Sequence, residues 1–134
     1  MKALKLRNLY SATLLWAFLL FGVSSAFAQS GSWTKKSNSI SGTWSITDKG
    51  GKKTISLKGF KTATAPDLKI FLSPNSAAQV SSRNATKGAV LVAKLKSSKG
   101  DQSYALPAGV DLSKYKSVII HCEKYSKVWG VSNL

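Results

Sequence analysis

After residue 39, polar and apolar residues alternate with a period of two in one short stretch after another, and no segment sustains a helical period. In "ISGTWSIT" (40–47), Ile40, Trp44 and Ile46 fall on one face, and Ser41, Thr43, Ser45 and Thr47 on the other. A half-buried strand has this pattern, because successive side chains of a strand point to opposite faces. "DKGGK" (48–52) is a turn, and "KTISLKGF" (53–60) returns with Ile55 and Leu57 inward, so the two runs form a hairpin.

The same reasoning carries on down the chain. Pro66 leads "LKIFLS" (68–73) into a third strand, and "PNSAAQVSSRNATKG" (74–88) is a long polar loop. "AVLVAKL" (89–95) is apolar on both faces, as a central strand would be. "SYALP" (103–107) is a short strand stopped by Pro107, and "AGVDLSKY" (108–115) predicts one helical turn beginning near Asp111 or Ser113. "KSVIIHCEK" (116–124) is the most strand-prone stretch, and "VWGVSNL" (128–134) follows it. About seven short strands separated by turns predict an all-β domain: a single antiparallel β-sandwich or flattened barrel.

The N-terminal segment is of another kind. Lys2, Lys5 and Arg7 precede the apolar run "LLWAFLLFGV" (14–23), and small residues at Ala26 and Ala28 follow. This is the pattern of a secretory signal peptide over 1–28, cut between Ala28 and Gln29. The apolar run is short for a membrane span, which needs about 20 residues. The chain is therefore expected to be secreted or periplasmic, without a transmembrane helix in its mature form. Residues 29–39, "QSGSWTKKSNS", read as a flexible leader, and 40–134 as the folded domain, with Trp33 able to dock on it.

The sequence is strongly basic, with 20 Lys and Arg against 5 Asp and Glu, a formal charge of +15. Beyond residue 28 every basic group but Arg83 is lysine. Lysine is a hydrated point charge and lacks the planar fork that arginine offers to phosphate. This argues for attraction to an anionic envelope polymer or membrane surface and against nucleic acid.

Most cofactor and catalytic chemistry is removed by counting. Met1 is the only methionine, Cys122 the only cysteine and His121 the only histidine. His/Met haem ligation and a C-x-x-C-H attachment are absent, and a structural zinc site lacks ligands. No autonomous enzyme activity is expected. One cysteine also means no intramolecular disulfide, so a hydrophobic core has to hold the domain together. Neighbours on a strand point to opposite faces. Cys122 therefore shares a face with Val118 and Ile120, and His121 with Ile119 and Glu123. His121 and Glu123 could act as a weak two-ligand metal site, although the ordinary reading of His121 is a half-exposed strand residue. The ordinary reading of Cys122 is a small buried hydrophobe. The aromatic residues Tyr115, Tyr125 and Trp129 flank it in sequence and are expected to pack the end of the core; Cys122, Tyr125 and Trp129 form the alternative ligand-binding set.

Four stretches resemble the DM13 domain: "GTWSITDKGGKKTISLKGFKTATAPDLKIFLSP" (42–74), "VAKLKSSKGDQSYALP" (92–107), "GVDLSKYKSVIIHC" (109–122) and "YSKVWGVSNL" (125–134). Domains of this family are extracytoplasmic and β-rich, with a proposed role in electron transfer alongside haem-binding DOMON-type domains. The resemblance implies that role for Cys122, as a redox centre, and with it a redox partner protein. It leaves room for haem as a cofactor, which nothing in the residues themselves requires. Two positions depart from the family: His121 stands where Trp is common, and Trp129 where Phe is common before Gly130.

Overall fold

The structure is a computed structural model that describes residues 27–134. The signal peptide expected over 1–28 lies almost wholly outside the described residues. Among these residues nine strands form two antiparallel sheets. They are β1 (Phe27–Ser32), β2 (Thr34–Lys35), β3 (Ile40–Lys49), β4 (Lys52–Thr62), β5 (Leu68–Ser73), β6 (Val90–Lys94), β7 (Gln102–Ala105), β8 (Ser117–Cys122) and β9 (Lys127–Asn133). One sheet runs β1-β3-β4-β7 and the other β2-β9-β8-β5-β6. The fold is thus the expected all-β sandwich, and it is not closed into a barrel. The predicted helical turn is a single 3₁₀ turn over Leu112–Lys114, capped by the Asp111 side chain.

The core lies between the sheets. Trp44, Ile46, Ile55, Leu57, Phe60 and Tyr104 from the four-stranded sheet meet Leu68, Ile70, Leu72, Val118, Ile120, Cys122 and Trp129 from the five-stranded one. β8 is buried at every position. Its second face, with Ile119, packs with Phe71, Val128 and Val131 under Val80 and Ala85 of the 74–88 segment. That segment, polar overall, thus uses two small apolar residues to cover the outside of the sheet.

Among the described residues three β-bulges reset the alternation, in β4, β9 and β6. Opposite Gly42, β4 carries two residues, Gly59 and Phe60, between the pairs Ser41↔Lys61 and Thr43↔Lys58. Gly59 takes φ 59°, which glycine adopts at little cost. The extra residue turns Phe60 into the core behind Leu57. On β9, Ile120 pairs with Gly130 but His121 pairs with Val128, so Trp129 is the extra residue. Trp129 joins the inner core, while Val128 and Val131, three apart, both lie on the outer face. A Cβ at Gly130 would fall 2.8 Å from Ile40 Cδ1, so this glycine admits the Ile40 side chain.

Two expectations need correction. Residues 29–39 are not a leader without regular structure. β1 pairs with β3 from Phe27↔Asp48 to Ser32↔Thr43, and β2 pairs with β9. The chain crosses from one sheet to the other at Trp33, which is buried edge-on against Phe60 with ring centroids 6.1 Å apart. Past residue 28 the inward positions of β1 are Gln29 and Gly31, so no apolar alternation marked 29–32 as a strand. The 89–95 run is not central either: β6 is an edge strand. Its apolar character on both faces has a local cause. Between the pairs Ile70↔Ala93 and Phe71↔Leu91, Val92 is an extra residue that packs inward, and Leu91 is left 45% exposed.

Candidate functional site

Cys122 is the last residue of β8, paired through its backbone with Leu68 on β5 and Lys127 on β9. Its side chain is 0% exposed and belongs to the inner core with Leu68, Val118, Ile120 and Trp129. The chain leaves this buried position directly into a turn. The Glu123 N–H donates to the Asp67 carbonyl (3.1 Å), the Ser126 N–H donates to the Glu123 carbonyl (3.1 Å), and Ser126 adopts φ 51°. For a non-glycine residue that φ is uncommon and belongs to tight turns. The thiol is therefore sealed in the core one residue short of an exposed turn.

The aromatic residues flanking it in sequence divide. Trp129 lies in the same core cluster, and its indole Nε1–H donates to the Ala63 carbonyl (3.2 Å). Tyr115, the residue that ends the 3₁₀ turn, packs half-buried on that core. Tyr125 instead stands 53% exposed in the β8–β9 turn and takes no part in the core. The structure does not bring Cys122, Tyr125 and Trp129 together as one ligand-binding set.

A haem does not fit at Cys122. The space beside it is filled by core side chains, and none of the three described cavities is lined by it. They lie instead between Gly51–Thr54 and Ala105–Gly109 (about 440 Å³), beside Thr64–Leu68 and Lys94–Ser98 (about 230 Å³), and at Ser39–Ser41 with Lys61–Ala63 (about 310 Å³).

His121 is not half-exposed. It is 4% exposed on the outer face of β8, edge-on to Phe71 at 5.9 Å between centroids, and its Nδ1 has no hydrogen-bond partner. Burial holds the imidazole below the usual histidine value, with Glu123 and Asp67 opposing that shift and Lys69 adding to it. Glu123 lies past the strand, in the turn, where it accepts a hydrogen bond from the Lys69 ammonium. Asp67 also pairs with Lys69, at 3.5 Å. This bonding to Glu123, more than any other influence, holds the Lys69 ammonium in its charged form. Glu123 is therefore committed to a cation within the chain. Among the described residues no three His, Cys, Asp or Glu side chains gather as metal ligands.

One polar junction lay in a sequence motif without being assigned a role. The Tyr104 hydroxyl accepts from the Lys96 backbone N–H (2.7 Å) and donates to the Gln102 side chain, while the Lys96 ammonium lies 5.3 Å above the ring. It ties the β6–β7 connection to the core. Gln102 and Tyr104 belong to the "GDQSYALP" motif, which was the available signal.

A family model described as "Electron transfer DM13" matches residues 32–134, from the end of β1 to the last residue. No curated protein and no solved structure matches the chain. Among the described residues no helix is long and apolar enough to cross a membrane.

Proposed function

The chain belongs to the DM13 family, and on that premise we propose that it is an exported electron-transfer module whose one thiol, Cys122, reacts only when the end of β8 opens. The position of Cys122 carries this reading: fully buried, yet at the last residue of a strand, directly before an exposed turn. Local opening draws on such turns, because few buried contacts hold them. Export is supported by the basic start, apolar run and small residues of 1–28.

In the open form the Cys122 thiolate attacks one sulfur of a partner disulfide. A new sulfur–sulfur bond forms to Cys122 as the partner's bond breaks, and the departing sulfur leaves as a thiolate that takes up a proton. The chain has no second cysteine to resolve this mixed disulfide, so an external thiol has to release it. The redox partner is a disulfide-bearing protein of the same compartment.

The complete burial of Cys122 favours a second reading, in which the thiol only packs the core and the domain is a non-catalytic envelope module. Thiol labelling in native buffer, compared with the rate of global unfolding and read beside the absorbance spectrum, separates the two. Labelling faster than global unfolding supports exchange by local opening. Labelling no faster than unfolding, in a colourless protein, overturns it in favour of packing.

A further inference from the structure

The outer face of the four-stranded sheet is covered by no described residue, and its side chains follow a two-part pattern. Cross-strand register places Ser30, Ser45, Ser56 and Ser103 in one row across all four strands. Thr47 and Thr54 form the next row, and Thr43 lies on the other side. The Ser56 and Ser103 hydroxyls are 2.9 Å apart and hydrogen-bonded. Lysines occupy both ends. Lys49 pairs with Lys52 beside the β3–β4 turn. At the far end Lys61 is bridged to Lys99, with Lys58 nearby. All five of these lysines are exposed. Two acidic residues lie beside them: Asp101 pairs with Lys58 at 3.8 Å, and Asp48, next to Lys49, pairs with Lys53 at 3.6 Å and accepts from the Gly51 N–H.

We propose that this face binds a linear polyanionic polysaccharide, with its anionic groups on the lysines at the two ends and its hydroxyls on the serine and threonine rows. Each protein hydroxyl both donates and accepts, as sugar hydroxyls require of a partner. Successive hydroxyl rows lie two residues apart along the strands, about 7 Å, so a polymer running along the strands meets one row after another. The nine residue steps from Lys52 to Lys61 span roughly 30 Å of strand, enough for several sugar units. A lipid surface suits the face less well, since membrane-surface binding buries apolar side chains. Among the described residues the two exposed large apolar ones, Leu91 and Tyr125, both belong to the other side of the sandwich, on β6 and in the β8–β9 turn. Single-stranded nucleic acid would need aromatic platforms, and the described positions of this face carry neither an aromatic residue nor an arginine. The inference concerns the sheet that does not carry Cys122 and stands apart from the electron-transfer reading.

The test measures binding to polygalacturonate, neutral dextran and phosphatidylglycerol vesicles at about 0.15 M salt, where a Debye length of about 8 Å confines each lysine's effect to its own neighbourhood. Lys49→Gln, Lys52→Gln and Lys61→Gln combined should weaken polygalacturonate binding by about tenfold or more, as loss of three charge contacts does for a polyanion. Lys87→Gln, Lys114→Gln and Lys124→Gln remove the same charge elsewhere and should cost less than about threefold. Ser45→Val with Ser56→Val leaves the charge unchanged, keeps strand propensity, and should also weaken binding. Circular dichroism checks that each variant folds. Equal losses in the two lysine triples, unchanged binding in the valine pair, or vesicles bound as tightly as polygalacturonate would each overturn the proposal.

Discussion

The indole of Trp44 lies so close over Gly31 that a Cβ there would sit 2.9 Å from Trp44 Cζ2, and 2.8 Å from Ser132 Oγ. The first strand is thus seated against the most bulky fully buried side chain of the core. Its glycine is a packing requirement of β3 and β9 as much as a property of β1.

Gly31→Ala is therefore expected to destabilise the protein by about 1–3 kcal/mol, the usual cost of overpacking a closed site. Urea denaturation measures it. A neutral result would mean that residues 27–32 are not docked on Trp44.

Replacing Cys122 should separate size from polarity. Cys122→Ala removes one sulfur from a fully buried apolar site and should cost about 1 kcal/mol or somewhat more. Cys122→Ser places a hydroxyl where the core offers it only apolar side chains, and should cost a further 1–3 kcal/mol or so. Serine proving as stable as alanine in equilibrium unfolding would place a polar partner or water beside Sγ.

Stability should fall on mild acidification because of His121. Burial lowers its folded pKa below the ordinary 6.5, with Glu123, Asp67 and Lys69 as the charged groups around it. As pH falls below 6.5 the unfolded chain binds the proton first, and stability is lost until the folded value is passed. The urea midpoint should drop between about pH 7 and pH 5, above the range where carboxylates titrate. His121→Gln should flatten that part of the curve. An unchanged slope in the variant would assign the effect to other groups.

Tyr104→Phe should cost about 1 kcal/mol, because the Lys96 N–H loses its acceptor and Gln102 its donor. Burial raises the Tyr104 pKa, so the phenol should resist ionisation in alkaline difference spectra until the protein unfolds. Ionisation at the value of free tyrosine would mean that the ring is not sealed.

Alternation along the chain was enough to place most of the strands. Ile46, Ile55, Leu57, Ile70, Leu72, Val118 and Ile120 are inward as their period of two predicts, because in a strand the side-chain direction is a local property. The opposite facing of His121 and Cys122 followed in the same way; the cap of the short turn, expected at Asp111 or Ser113 from residue type, is Asp111.

Tertiary structure decided what depends on distant residues. β1 is a strand because Trp44 and β3 offer it an edge, although Gln29 and Gly31 carry no apolar signal. Phe60 and Trp129 face the core because bulges in β4 and β9 shift the phase by one residue. β6 is an edge strand because strand order depends on which distant partners pair, and apolar content does not record it. His121 is buried beside Phe71, on the face whose apolar cluster includes Val80 and Ala85 of the distant 74–88 segment. Local periodicity determines which way a side chain points; only packing determines what, if anything, covers it.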